Sequence, residues 1–430
     1  MTEGLLGFAL LMTLCFAGIP LTFAMIAVGV GGLAMSRGFE PAMLAVSQQA
    51  IDWTTNYSLI VLPMFILMGS FVQHAKLADE LYEAANGWLG HRPGGLAEAT
   101  IAASAGLAAV SGTSLATTAI MSKVSIPAMR RFRYSDSFAA GTCAAGGTLG
   151  ILIPPSIPLA IYGILTETDI SQLFIAGLLP GILLTVLFII AIRLLGWLQP
   201  QAFPAAERTP WPLRWALLAR TWGIIVLILV VLGGMYAGVF TPTEAAGIGA
   251  GGALLFAVIR RKLTRRQFLA ALVDAGLTTS NILLIGIGAL VFSTFLTLCG
   301  MTGALAAWVQ SFDVSPIGVV AVICLVYIVL GCVFESLGML LMTVPVFFPI
   351  VAALGIDLVW FGIIVVIVVE IGLITPPVGI NVLVVKGLFP DIPMWSIYRG
   401  IMPFLIANLV CLVLLFMFPA IATWLPQMLR

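Results

Sequence analysis

The sequence predicts an all-α polytopic membrane protein built from two repeats of inverted topology, with about ten spans and two re-entrant helical hairpins. Three observations predict it. Of the 430 residues, 61% are hydrophobic and 9% charged, and the mean hydropathy of +1.16 belongs to a chain held mostly in lipid. A motif occurs twice inside long apolar segments, as Gly150-Ile151-Leu152-Ile153-Pro154-Pro155 and Gly372-Leu373-Ile374-Thr375-Pro376-Pro377. One shift of 222 residues, the spacing of Pro154 and Pro376, also pairs Pro20 with Pro242, Ser114 with Ser336, Pro127 with Pro349 and Asp169 with Asp391.

The shift divides the chain into residues 1–208 and 223–430, joined near Glu207-Arg208-Thr209-Pro210. In the first half, 4–16 and 20–35 are short spans meeting at Gly18-Ile19-Pro20, and 57–73 is a third. Lys76 to Trp88, with Asp79, Glu80 and Glu83, reads as an amphipathic interfacial stretch. Residues 94–129 form a Gly/Ala/Ser/Thr-rich pair of segments around Ser111-Gly112-Thr113-Ser114. The span 137–163 holds the double proline, and 171–197 closes the half. The second half repeats the series as 223–239, 243–259, 280–299, the pair 316–350 around Phe334-Glu335-Ser336, the broken span 358–387 and 400–425.

Lys and Arg concentrate in cytoplasmic loops, so basic clusters set the orientation. Arg130-Arg131-Phe132-Arg133 and the cluster from Arg260 to Arg266 can lie in the cytoplasm together, with His91-Arg92, Arg208, Arg214 and Arg220. The pair 94–129 then starts and ends inside and the pair 316–350 outside, which inverts the halves and puts Met1 and Arg430 outside. Each pair is long enough for two full spans or for a hairpin whose tip stops mid-membrane. Glu98, Ser104, Ser111, Thr113, Ser114, Thr117, Thr118, Ser122 and Lys123 are too many polar groups for lipid contact, which favours hairpins packed through small residues.

Double prolines remove amide donors and strand carbonyls at a depth where lipid offers no partner. Breaks of this kind at matching places in two halves point to a transporter's binding site. Stranded carbonyls with Ser and Thr hydroxyls make a neutral oxygen cage for a hard monovalent cation such as Na⁺. The adjoining helix N-termini suit an anionic substrate group. One expected cage comprises Ser111, Ser114, Gly150, Ile153 and Pro155, and the other Gly331, Gly372, Thr375 and Val378. Ser156 and Asn381 are expected substrate donors, with Thr113 and Ser336 as lesser candidates; for each of these residues, helix capping or packing is the competing reading. Glu335 and Glu370 are candidates for a coupling cation or proton, or else hydrogen-bonded structural carboxylates. Lys123 and Glu98, on opposite arms of the first hairpin, read as a structural pair or as snorkelling groups.

Composition and motifs exclude other classes. A net charge of +1 leaves no basic surface for nucleic acid. The chain has no Gly-x-x-x-x-Gly-Lys-Ser/Thr loop and no His-Glu-x-x-His motif, and its two histidines are poor equipment for an enzyme. Six cysteines in apolar stretches, without metal-ligand spacing, read as small core residues, and the first apolar segment lacks the basic start of a cleavable signal.

Four ordered motifs carry a family resemblance: Gly146 to Ser156, Phe174-Ile175-Ala176-Gly177-Leu178-Leu179-Pro180-Gly181, Phe240-Thr241-Pro242-Thr243-Glu244-Ala245-Ala246, and Ile374-Thr375-Pro376-Pro377-Val378-Gly379-Ile380-Asn381. In these the chain resembles the large membrane subunit (DctM type) of tripartite ATP-independent periplasmic (TRAP) transporters along nearly its whole length. The resemblance implies an elevator-type fold, in the manner of ion transporters, whose mobile part is built from the hairpins and broken helices. It implies a bacterial or archaeal cytoplasmic (inner) membrane, and sodium sites where tips meet breaks. It further implies two partners, a small four-helix membrane subunit (DctQ type) and a periplasmic substrate-binding protein (DctP type), in sodium-driven import of small organic acids. A sodium–carboxylate symporter needing no binding protein, or a channel or scaffold, are the alternatives. Glu335 at the second tip replaces Thr113 of the first, so the two cages need not match.

Overall fold

In the computed structural model, residues 2–311 and 315–429 are described; Met1 and Arg430, whose sidedness the charge pattern addressed, lie outside them. The first half runs α1 (Thr2–Phe16), α2 (Leu21–Arg37), α3 (Phe39–Thr55), α4 (Val61–His74), α5 (Leu77–Leu89), α6 (Gly95–Ser111), α7 (Ser114–Arg131), α8 (Asp136–Leu152), α9 (Ile157–Thr166) and α10 (Ile170–Leu198). After α11 (Trp211–Arg220) come α12 (Trp222–Tyr236), α13 (Pro242–Ile259), α14 (Arg265–Leu298) and α15 (Met301–Ser311). The chain then continues through α16 (Pro316–Gly331), α17 (Ser336–Ala353), α18 (Leu358–Ile374), α19 (Ile380–Leu388), α20 (Met394–Met417) and α21 (Ala420–Met428). Among the described residues there is no strand. Among the described residues seven helical spans are long and apolar enough to cross a membrane, or eight if α11 and α12, bent by 50°, make one span; five shorter apolar helices accompany them.

Sequence signals mark the helix ends. Ser135 accepts from Phe138 N at 3.3 Å and Asp357 from Trp360 N at 2.9 Å, capping α8 and α18. Thr241 with Glu244, and Thr264 with Gln267, form reciprocal capping boxes at α13 and α14. The 222-residue shift recurs in the element boundaries: α7 starts at Ser114 and α17 at Ser336, α8 at Asp136 and α18 at Leu358. The halves differ where the first has α3 and α4 separated at Asn56 and the second has the single 34-residue α14.

Three helices lie beyond the sequence reading: α3, α11 and α15. The first two carry too many polar or charged side chains to register as spans, among them Glu40, Gln48, Gln49 and Asp52 in α3 and Arg214 and Arg220 in α11. One expected pairing is corrected. Glu98 bonds Arg193 of α10, Nε to Oε1 at 2.9 Å, and not Lys123, which is exposed. Glu98 is itself 1% exposed, so the long Arg193 side chain brings the counter-charge to a carboxylate already held inside the packing.

At the centre stands α8, buried from Phe138 to Leu152 and packed on α6, α7, α18 and α20. Glycine permits the α8–α20 crossing, because a Cβ on Gly141 would lie 2.3 Å from the Gly400 backbone. Ser137 Oγ donates across the same crossing to Ser396 O at 2.6 Å. Around this centre α14 packs against α2, α3, α4 and α17.

Candidate functional site

Each hairpin tip seats on the broken helix of its own half. At the first, Gly112 turns the chain in the left-handed region (φ 63°) between α6 and α7, and its carbonyl accepts from Ile157 N at 3.2 Å, just past the Pro154-Pro155 break. At the second, Cys332 O accepts from Gly379 N at 3.2 Å, just past Pro376-Pro377. The Pro154-Pro155 and Pro376-Pro377 peptides are both cis. Gly331 and Gly372 touch backbone to backbone, since a Cβ on Gly372 would come within 2.6 Å of Gly331 Cα.

The prolines decide which carbonyls are free. Pro154 has no amide for Gly150 O and Pro155 none for Ile151 O, and the Ser156 hydroxyl donates to Ile151 O instead. Gly150 O is left without its helical donor. In the second half Pro376 has no amide for Gly372 O, which accepts from Thr375 N at 3.1 Å, and Pro377 has none for Leu373 O. Thr375 Oγ1 donates to Ile371 O, and Pro377 O and Val378 O each accept from the Tyr398 hydroxyl at 2.9 Å. Ile153 caps α8 with its amide on Leu149 O at 3.0 Å, and the Pro155 carbonyl faces Gly112, where a Cβ would come within 2.9 Å of it.

The Ser111 and Ser114 hydroxyls at the first tip are already engaged. Ser111 Oγ is 2.7 Å from Thr117 Oγ1, which donates to Thr113 O at 2.9 Å. Ser114 Oγ donates to Asn381 Oδ1 at 2.9 Å, and Asn381 Nδ2 donates to Ala144 O at 3.1 Å. A tip from one half is thereby tied to the broken helix of the other and to the central α8. Ser156 and Asn381 are both fully buried, with Ser156 capping α9 by accepting from Leu159 N at 3.2 Å.

Between the tips lies a cavity of about 630 Å³. Thr113 and Ser114 of the first tip and Glu335 and Ser336 of the second line it, together with Thr22 of α2 and Thr278 and Asn281 of α14. The N-termini of α7 and α17 both open onto this space, and no lysine or arginine among the described residues lines it. Glu335 caps α17, accepting from Leu337 N at 3.1 Å, Gly338 N at 3.2 Å and Ser336 Oγ at 2.9 Å. Glu370 lies apart from the cavity on α18 with no exposure, and neither of its oxygens has a hydrogen-bond partner among the described residues. Sequence reasoning missed Thr22, Thr278 and Asn281. The run Thr278-Thr279-Ser280-Asn281, a polar patch inside a long apolar helix, is the signal that marks the last two.

Residues 8–421 match the family model described as tripartite ATP-independent periplasmic transporter, DctM component. The chain belongs to this family. It is 35% identical over 405 residues to the C4-dicarboxylate TRAP transporter large permease protein DctM of Pseudomonas aeruginosa, covering 93% of both chains. It is 32% identical over 417 residues to the sialic acid TRAP transporter large permease protein SiaM of Vibrio cholerae, covering 96% of both. Among solved structures, that of the Alcanivorax borkumensis YdaH transporter aligns with a TM-score of 0.63 at 15% identity over 90% of each chain, a likeness of fold.

Proposed function

We propose that this multi-pass protein is the transport subunit of a sodium-gradient-driven importer of small organic acid anions, fed by a periplasmic binding protein and completed by a small membrane subunit. The two halves, 1–208 and 223–430, act as inverted repeats, and the hairpins with the broken helices move as one body against the remaining helices in an elevator cycle.

The observation that carries this reading is the cavity between the hairpin tips. Its volume of about 630 Å³ suits a small acid, and its lining offers the N-terminus of α7, hydroxyls and an amide in place of fixed cations, while Glu335 occupies the N-terminus of α17. Because Glu335 puts a carboxylate on the same wall, an anion there needs positive charge from bound cations. Carbonyls that lose their helical donors at both proline breaks, Gly150 O in the first and Leu373 O in the second, support cation cages at those breaks. Relatives named for C4-dicarboxylate and sialic acid fit the same substrate class. A relative named isethionate TRAP transporter permease protein DctMQ, of which this chain covers 63%, supports a DctQ-type partner. A bacterial or archaeal inner membrane follows from a periplasmic feeder.

The test is uptake of labelled organic acids into proteoliposomes holding the chain and its small subunit. Accumulation is expected only with an inward sodium gradient and added binding protein. Uptake that needs neither would sink the proposal. Thr375→Ala and Ser114→Ala are each expected to weaken sodium dependence, and an unchanged sodium response in both would remove the cage assignment.

A further inference from the structure

The two proline breaks are not equally covered. Every residue from Ile151 to Ala160 is buried, whereas Pro376 and Pro377 are exposed. Their carbonyls differ as well. In the first break Ser156 O accepts from Ala160 N at 3.0 Å inside α9. The corresponding carbonyl in the second, Val378 O, has no such donor, because Val382 N turns to Gly379 O at 2.8 Å. The Tyr398 hydroxyl stands there instead, 2.9 Å from both Pro377 O and Val378 O. Shifting by 222 residues places Ala176 where Tyr398 stands, so the first break has no phenol.

A phenol carries one proton, and here it faces two carbonyl oxygens. Without it both carbonyls would lie at a membrane-embedded helix break lacking a donor. We infer that Tyr398 is a latch on the second sodium cage: its proton satisfies Pro377 O and Val378 O while the cage is empty, and a sodium ion entering the cage displaces it. The inference rests on the sodium reading above and adds the order of filling. The carbonyls of the first cage face no phenol, because Ala176 stands in its place, and that cage binds sodium more tightly. The second fills only as the phenol turns away, which loosens the link between the break and α20 at that step. Tyr398 acts through the carbonyls and is a positioning residue.

Sodium-dependent thermal stabilisation of the full-length chain in detergent, with potassium holding ionic strength constant, tests this without any transport measurement. Wild type is expected to show a tight and a weak phase. Tyr398→Phe keeps the ring and removes the proton, so the weak phase is expected to move to lower sodium by about three- to tenfold, the equivalent of one net hydrogen bond, with the tight phase in place. Tyr398→Met also lacks the donor and can fill the space, so it gives the same readout if the Phe variant folds poorly. Two phases in wild type with the weak one unchanged in both variants would overturn the latch alone. A shift to higher sodium would make the phenol a ligand and overturn it as well. A wild-type protein stabilised equally by sodium and potassium would bring down the sodium reading and the latch together.

Discussion

Asn381 shows how one side chain can join distant parts of a membrane protein. Its amide is fully buried and reaches a hydroxyl 267 positions away, Ser114, as well as Ala144 O in the central helix. Removing one partner of a buried pair strands the other in a medium with no water to replace it. Asn381→Leu and Ser114→Ala are each expected to cost about 1–3 kcal/mol. Their double mutant should fall short of the sum by about 1 kcal/mol, read from unfolding midpoints in detergent. Full additivity would mean that the two groups do not depend on each other. The sequence marked both residues, because each stands beside a tip or a break. It could not show that they meet, since the 222-residue shift pairs Ser114 with Ser336 and Asn381 with Leu159. Contacts between the halves break the repeat and leave no periodic trace.

Among elements, the second hairpin and the second broken helix meet through two glycines with no room for a methyl group. Gly372→Ala would push a Cβ to 2.6 Å from Gly331 Cα, and a backbone cannot yield as a flexible side chain can. The expected cost is about 1–3 kcal/mol, with loss of the sodium-dependent stabilisation. Gly251→Ala in α13, where a Cβ meets nothing within 4 Å, serves as the control and should be neutral or slightly stabilising. Equal stability of the two variants would count against close seating of the tip.

A second junction lies at the end of the first hairpin. Arg130 bonds Asp136 through Nε at 2.7 Å and through Nη2 at 3.1 Å, and also reaches Asp391 in the loop after α19. Its hydrogen bond holds the Asp391 carboxyl below the ordinary value of about 3.9. A group depressed in the folded state stabilises above its unfolded pKa and stops doing so as pH falls through the folded one. Wild type should therefore lose stability more steeply than Asp391→Asn as pH drops from about 4 downward, measured as thermal midpoints. Parallel curves would show that the contact contributes nothing. Long apolar helices, hairpin tips and breaks were legible in sequence because lipid imposes length and proline imposes interruption. Helices α3 and α11 were not, since the polar and charged side chains in each keep it from registering as a span.

At the scale of the whole molecule, the elevator reading requires the hairpin tips to slide past α2 and α14. The close approach of α2 to the second hairpin tip offers a place to test that requirement. Leu21, at the start of α2, reaches the second hairpin tip closely enough that a Cβ on Gly338 would lie 2.7 Å from its Cδ2. Both residues stand beside chemistry already described, Leu21 next to the Pro20 break and Gly338 in the first turn of α17 capped by Glu335. Cysteines at these two positions, in a chain whose six native cysteines are replaced, can be joined by a short thiol-reactive bridge. If the tips travel, the bridge is expected to stop uptake in proteoliposomes while leaving sodium-dependent thermal stabilisation intact, because the cages lie within the moving body. Reducing or omitting the bridge should restore uptake. Continued transport in the bridged protein would show that the second hairpin keeps its place against α2 throughout the cycle, and would leave a rigid pore or a local gate as the mode of access to the cavity.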